Sequence, residues 1–461
     1  MAEDELETVV LEEDDYALDS TLFTAVRIAV AAGDKERLGE LLEPLHSADI
    51  ADFLEQVDSA HRREILFLAG NKIDGDVLSE LDEVLREEVI EFLPKEVLDE
   101  AVRELETDDV VDLVEDLEDE QQEAILDALE DADRVAVEQA LTYPEFSAGR
   151  LMQREVVAAP EHWLVGDAID YLRETEEDLP EQFYHVFVVD PKMAPLGYVT
   201  LGKLLSAKRS TPLSDLFEDS FRTIPVLQDE EDVAYAFNQY HLISAPVVDD
   251  GGRLIGMITI DDAMGVLDEE HEEDILRLAG VGESSLSDRV IETTKQRFPW
   301  LAVNLVTAIL ASLVIAQFEE TIAQFVALAV LMPIVASMGG NAGTQSLTVA
   351  VRAIATKDLS PSNVWRVVRR EALVGLTNGV IFAVVMGVIG VLWFGTPMLG
   401  VVIGVAMVVN LVVAGLAGIL IPVALERFGI DPALASGAFV TTVTDVVGFF
   451  AFLALAGAVL L

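Results

Sequence analysis

The chain has 461 residues, 83 of them Asp or Glu against 29 Lys or Arg, a formal net charge of −54, yet 51% of it is apolar. That apolar fraction excludes a solvating acidic polymer, the lack of Cys excludes disulfides, thiolate metal sites and cysteine nucleophiles, and the acidity excludes a nucleic-acid binder, which needs Lys and Arg against phosphate. The charge is segregated: residues 1–294 carry a net −55 and the remainder a net +1, which predicts an acidic soluble half joined to an almost uncharged membrane half.

Met1 to Asp15 are acid-rich and lack a basic region followed by an apolar core, so no signal peptide is expected and the soluble half is read as cytoplasmic. Arg outnumbers Lys by 21 to 8, and so large an acid excess reads as halophilic, fitted to a salty cytoplasm where screening tolerates self-repulsion. Residues 36–140 follow helical spacing throughout. Ile50, Phe53, Leu54 and Val57 recur at i, i+3, i+4 and i+7, as do Val110, Leu113, Val114 and Leu117. Short acidic connectors, Asp58–His61 and Glu118–Gln122, suggest stacked helical hairpins. Asp108, Asp109 and Asp112 cluster at one helix start, either as partners of the helix dipole or as cation ligands.

From 151 to 268 the pattern changes to strand, turn and helix, and it repeats. Phe187-Val188-Val189-Asp190 with Leu196 to Lys203 forms one copy, and Pro246-Val247-Val248-Asp249 with Leu254 to Asp262 the other. The pair resembles tandem CBS modules, the second copy more fully than the first. In CBS pairs that bind adenine nucleotides an Asp at the place of Asp262 contacts ribose; Lys203 stands there in the first copy, which argues against ATP. An acidic run then opens a helix toward the membrane. Glu270, Glu273 and Asp274 share its face, where like charges about 5 Å apart repel by about 3 kcal/mol at an effective dielectric near 20. The run is a solvated face or a place for a divalent cation.

Five apolar runs reach bilayer length, at roughly 299–318, 322–346, 372–394, 398–425 and 433–461. Lys295, Arg297, Arg352, Lys357, Arg366, Arg369, Arg370 and Arg427 fall in alternate connections, so the N-terminus is expected inside and the C-terminus outside a multi-pass cell-membrane protein. Asp445 lies twelve residues into the last run, about 18 Å deep at 1.5 Å per residue. A carboxylate there costs roughly 3 kcal/mol even on the mild insertion scale, so it faces protein, water or a cation. Gly437, Thr441, Asp445 and Gly448 share one helix face. In Gly339-Gly340-Asn341-Ala342-Gly343-Thr344-Gln345, Pro333 and three glycines are expected to loosen the second span. Asn341, Thr344 and Gln345 then line a polar path, or the glycines form a packing face. Glu371 reads as a mouth ligand or a partner of Arg369 or Arg370, and Asn410 as an interhelical hydrogen-bonding group.

Taken in order, the acidic helical array, Tyr143-Pro144-Glu145-Phe146-Ser147-Ala148-Gly149-Arg150-Leu151-Met152, the CBS pair, Glu273-Asp274-Ile275, the glycine–asparagine segment, and Asp431-Pro432-Ala433 with Asp445 resemble the MgtE family of magnesium transporters over essentially the whole chain. The resemblance implies a multidomain membrane protein. An all-α helical-array domain (1–147) is followed by an α/β CBS pair (148–268), a connecting helix (269–297) and a five-helix transmembrane domain (298–461). It implies a homodimer in the lipid bilayer whose pore is lined by the second and fifth spans. Asp445, Asn341, Thr441 and Gly437 match its pore set, with Glu371 and Asp431 at the mouth. Asp108, Asp109, Asp112, Glu231, Asp262, Glu270, Glu273 and Asp274 match acids that bind regulatory Mg2+. Departures are Gly437-Ala438, where the family often has Asn-Pro or Gly-Pro, and His241 and Gly265, where some members carry further Asp residues.

The resulting reading is a Mg2+-gated magnesium channel or transporter that imports Mg2+. Hard oxygen donors also admit Co2+ or Mn2+, and a non-conducting cation sensor on a CBS scaffold is the rival binding protein. An intramembrane aspartyl protease needs two mid-membrane aspartates, and Asp445 stands alone, so no enzyme is expected.

Overall fold

The computed structural model describes residues 20–115, 117, 119–175, 179–180, 182–218, 221–281 and 290–461. Met1–Asp15, Glu118 of one expected connector and residues 282–289 of the expected connecting helix lie outside the described residues. The chain divides into two compact units, Met1–Leu267 and Asp268–Leu461.

The first unit opens with short helices from Ser20–Ala32 to Asp131–Ala140. Their apolar stripes meet in one core, in which Phe53, Leu54, Leu66, Leu78 and Leu113 are fully buried. Acids between the stripes act as caps. Asp34 accepts from the backbone N–H of Arg37 at 3.0 Å, Asp58 from that of His61 at 3.0 Å and Asp74 from that of Val77 at 3.1 Å, each satisfying a donor that the first helical turn leaves open. The expected connector Asp58–His61 is therefore only one residue of cap, with the helix Ser59–Ala69 starting directly after it. Buried Arg62 joins successive helices by donating to the carbonyls of Leu54 and Val57, each at 2.9 Å.

Two three-stranded sheets follow. Ala158–Pro160, His185–Val189 and Pro195–Thr200 form the first, and Ile224–Pro225, Ser244–Val248 and Leu254–Thr259 the second. In each, the first strand pairs parallel to the second and the second antiparallel to the third, with a register shift at the same place, Val188/Val189 and Val247/Val248. The two copies are offset by 59 residues, so His185 corresponds to Ser244. Those two residues touch, Nδ1 to Oγ at 2.5 Å, which marks the pseudo-twofold axis of the repeat.

The helix Ile260–Leu278 contains the division between the units. In the second unit five helices are long and apolar enough to cross a membrane: Thr293–Ala316, Ala327–Ala355, Val364–Phe394, Pro397–Arg427 and Gly437–Leu460, called here the first to fifth spans. The second ends later and the third begins earlier than hydropathy alone suggests, because the helices continue past the apolar stretch into Arg352 and Arg366. The fourth span is the most buried and packs against the second, third and fifth.

The second span also corrects one expectation. It is a single helix from Ala327 to Ala355 through Pro333 and all three glycines, so the glycines do not loosen it. They admit neighbours instead. Gly339 abuts the Asn410 side chain, and Gly343 abuts Val440. From the fourth span, Gly418 lies so close that a Cβ there would meet the Gly343 carbonyl oxygen at 2.6 Å, whereas one at Gly340 would find only a Thr441 methyl at 3.9 Å. Gly418→Ala is therefore expected to destabilise the detergent-solubilised chain by about 1–3 kcal/mol, the usual cost of overpacking, and Gly340→Ala to leave it unchanged. Thermal unfolding of the two variants checks this; equal midpoints would contradict the packing described.

Candidate metal sites

The second span has two opposite faces, as a 3.6-residue period requires. Gly339, Gly343, Ser346 and Ala350 are buried, while Ser337, Asn341, Thr344, Gln345 and Thr348 are exposed on the far side. Glycine packing and polar path thus coexist. Thr344 and Thr348 donate their hydroxyl hydrogens to the carbonyls of Gly340 and Thr344, both at 3.0 Å, which leaves oxygen lone pairs facing outward. On the fifth span Thr441 does the same, donating to the carbonyls of Gly437 at 2.9 Å and Ala438 at 3.1 Å. The spans run antiparallel, with Gly340 beside Thr441 and Val351 clustered with Ala433. Asp445, one turn beyond Thr441, is half-buried and has no hydrogen-bond or ion-pair partner among the described residues. Gly437 has open space around its Cα, with only the Leu278 carbonyl near, at 3.7 Å from a Cβ.

Asn410 is completely buried in the fourth span and donates to the Val335 carbonyl at 2.8 Å. Its amide lies between Gly339 and Gly448, so it ties the second, fourth and fifth spans together as an interhelical group.

At the N-terminal end of the fifth helix, Asp431 accepts from the Ala433 N–H at 2.7 Å and from Arg277 Nη1 at 2.5 Å. Arg277 also pairs with Glu273. Beside them burial, and then the Asp431 charge, pushes the Asp274 carboxyl above its ordinary range. Leu278 packs against Leu347, Val351, Ala433 and Val440, which seats the end of the helix Ile260–Leu278 where the second and fifth spans meet. Glu270 lies half-buried one turn before Glu273. Glu371 accepts from Ser346 at 3.0 Å, and no ion pair joins it to Arg369 or Arg370 among the described residues.

In the first unit a second acidic group forms where the helix Thr107–Glu115 meets the start of the helix Ile260–Leu278. Asp108, Asp109 and Asp262 face one another there. Burial first, then the charges of Asp262, Asp109 and Glu106, drives the Asp108 carboxyl far up. Burial, then Asp262 and Glu106, pushes Asp109 up to about 7. Burial raises Asp262 to about 6, against Thr259, whose hydroxyl donates to it at 2.6 Å and whose N–H does so at 3.2 Å. Neutral contacts hold these acids together. Gln153 pairs its backbone with Met257, 2.9 and 3.0 Å, and its side-chain amide donates to Glu106, while Thr107 donates to Glu155 at 2.6 Å. Asp112 is exposed and drawn to Arg86 at 2.7 Å. Glu231 is exposed in the first turn of the helix Glu230–Tyr240. Among the described residues no three carboxylate or imidazole groups already stand in a metal-holding arrangement. Lys203, at the place equivalent to Asp262, pairs with Glu218 at 2.5 Å.

Gln153, Glu155, Arg86, Ser346 and Arg277 were not singled out from sequence. Only Arg277 carried a signal, its i, i+4 spacing from Glu273.

Comparison with known proteins gives the same order of parts. The MgtE divalent cation transporter family matches residues 332–455, the MgtE intracellular N domain residues 45–146, and the CBS domain residues 148–210 and 213–269. Magnesium transporter MgtE of Thermus thermophilus is 32% identical over 95% of this chain and 98% of its own, and that of Enterococcus faecalis 34% identical over 67% and 68%. A crystal structure of the cytosolic domain of the Mg2+ channel MgtE in complex with ATP is 31% identical, covering 53% of this chain and 99% of that one, with a TM-score of 0.49. The intracellular N domain, the CBS pair and the transporter segment follow one another here as in those relatives, and the chain belongs to the MgtE family of magnesium transporters.

Proposed function

We propose that this transporter is a homodimeric Mg2+ channel that admits Mg2+ to the cytoplasm and closes when its acidic soluble groups bind Mg2+. The observation that carries the conducting role is the partnerless Asp445 on a span packed against the second, whose exposed face carries the polar stripe of Asn341, Thr344, Gln345 and Thr348. One protomer leaves that stripe exposed. Hydrocarbon does not tolerate such a face, so a second copy enclosing water against it supports the dimer. Asp445 supplies the charge, and Asn341 and Thr441 supply neutral oxygens toward which a hydrated divalent ion can turn its waters. Gly437 leaves room one turn away, and Glu371 and Asp431 stand at the mouth.

The gating role is supported by the two acid groups. Asp108, Asp109 and Asp262 are hard oxygen donors suited to Mg2+, and their raised affinity for protons measures how poorly they bear ionisation together. A bound divalent ion supplies the charge that lets them ionise side by side. Asp112 would have to leave Arg86 to join them, and Glu231 stands outside the group. Glu270, Glu273 and Asp274 form the corresponding face at the fifth span, where Arg277 holds part of the charge. For ATP, Lys203 and its pairing with Glu218 weigh against a ribose contact in the first CBS copy.

Three outcomes test this reading. Asp445→Ala is expected to abolish Mg2+ flux into liposomes carrying the full chain while folding and dimerisation persist; wild-type flux from a folded variant would sink the pore assignment. Orientation is tested by a tag after Leu461, which a membrane-impermeant reagent should reach in intact cells. The third concerns pH. Because Asp109 and Asp262 bind protons more tightly folded than unfolded, their contribution to stability is complete below about pH 4 and lost as pH rises through 6 to 7. In chelator the full chain should lose thermal stability over that window, millimolar Mg2+ should restore it, and the Asp109→Asn, Asp262→Asn double variant should flatten the loss. A pH profile unmoved by those substitutions would remove the acids from this role.

A further inference from the structure

The third span, Val364–Phe394, carries two exposed tryptophans, Trp365 at 65% and Trp393 at 63%. They are 28 residues apart, about 42 Å at 1.5 Å per residue, which matches the 40–45 Å between the two interfacial zones of a bilayer. Tryptophan rings favour those zones, so the pair fixes where the membrane begins and ends along this helix. Between them runs an exposed apolar stripe through Leu373, Val380, Val384 and Val388, all within one helix face. That face meets lipid.

Arg366, Arg369 and Arg370 continue the same face by one to two turns beyond Leu373. From Leu373 to Phe394 the helix measures about 32 Å, the thickness of the hydrocarbon core, so the three guanidinium groups fall at headgroup depth. All three are exposed, and none has an acidic partner among the described residues. Elsewhere Arg62, Arg86, Arg134 and Arg277 are each drawn to a carboxylate. The positive-inside tendency accounts for positive charge in this connection but is served equally by lysine. Arginine adds a planar fork that binds phosphate oxygens in pairs.

We propose that Arg366, Arg369 and Arg370 form a binding surface for the phosphate headgroups of anionic phospholipids, with Trp365 beside them in the interfacial layer. The surface holds a lipid and stands apart from the ion path, of whose residues only Glu371 lies on this span, bonded to Ser346 on another face.

The test counts lipids on the detergent-solubilised full chain by native mass spectrometry, during titration with phosphatidylglycerol or phosphatidylcholine of the same acyl chains. The wild type should retain phosphatidylglycerol about a hundredfold more readily, the conversion of roughly 1 kcal/mol for each of three basic residues near an anionic headgroup. The triple variant R366Q/R369Q/R370Q should lose that preference, and R366K/R369K/R370K, which keeps the charge but not the paired donors, should retain only part of it. If the glutamine triple variant does not insert, the three single glutamine variants should each show a partial loss. Equal retention of the two lipids by the wild type, or an undiminished preference in the glutamine variants, overturns the proposal. Ion flux does not enter the measurement, so failure here leaves the channel reading where it stood.

Discussion

Hydrocarbon offers no hydrogen bonds, and that condition governs how the second, fourth and fifth spans are assembled. Polar groups on these helices have two outlets. Asn410 takes the first, sealed among helices and bonded to the Val335 carbonyl. Asn341, Gln345 and Asp445 have no such bond among the described residues and depend on whatever lies beyond the chain. The glycines decide which outlet each residue has. By letting the fourth and fifth spans approach one face of the second, Gly339, Gly343 and Gly418 commit its opposite face to the polar stripe. A larger residue on the packed side would therefore turn the polar side as well, although it touches none of those groups.

The soluble half manages charge by the opposite means. Its acids are mostly solvated or serve as helix caps, and in molar salt the Debye length falls to about 3 Å, so ordinary surface repulsion there is weak. Asp108, Asp109 and Asp262 differ because protein surrounds them and salt screens them less. Around them uncharged donors, the Gln153 backbone to Met257 and the Thr107 hydroxyl to the Glu155 carboxylate, brace the chain. Stability is thereby set against charge at one place in the unit, which makes that place sensitive to pH.

Much of this was legible in the sequence because it depends on local period or on a lone charge. The helical array follows from Ile50, Phe53 and Leu54, the repeat from two matching strand pairs, and Asp445 from being a single carboxylate in an apolar run. The glycine segment was legible in part. Its composition announced both close packing and a polar path, but only the angular positions in an unbroken helix separate the two faces. Pairings between residues distant in the chain were not legible. Nothing near Asp112 announces Arg86, nothing near Thr107 announces Glu155, and Asp431 meets an arginine 154 positions away. Such pairs are set by the fold, and spacing rules reach only one or two turns.

Arg277 gives one joint of the molecule a cation that does not dilute. Its guanidinium is protonated at any physiological pH, and being part of the chain it is present at an effective concentration fixed by a short tether. Glu273 and Asp431 therefore carry their counter-charge whatever the medium contains. Asp274 beside them has no arginine partner among the described residues, and burial and the Asp431 charge raise its carboxyl instead. The chain carries a fixed term and a variable one in the same electrostatic sum, which sets a baseline against which the variable term is read.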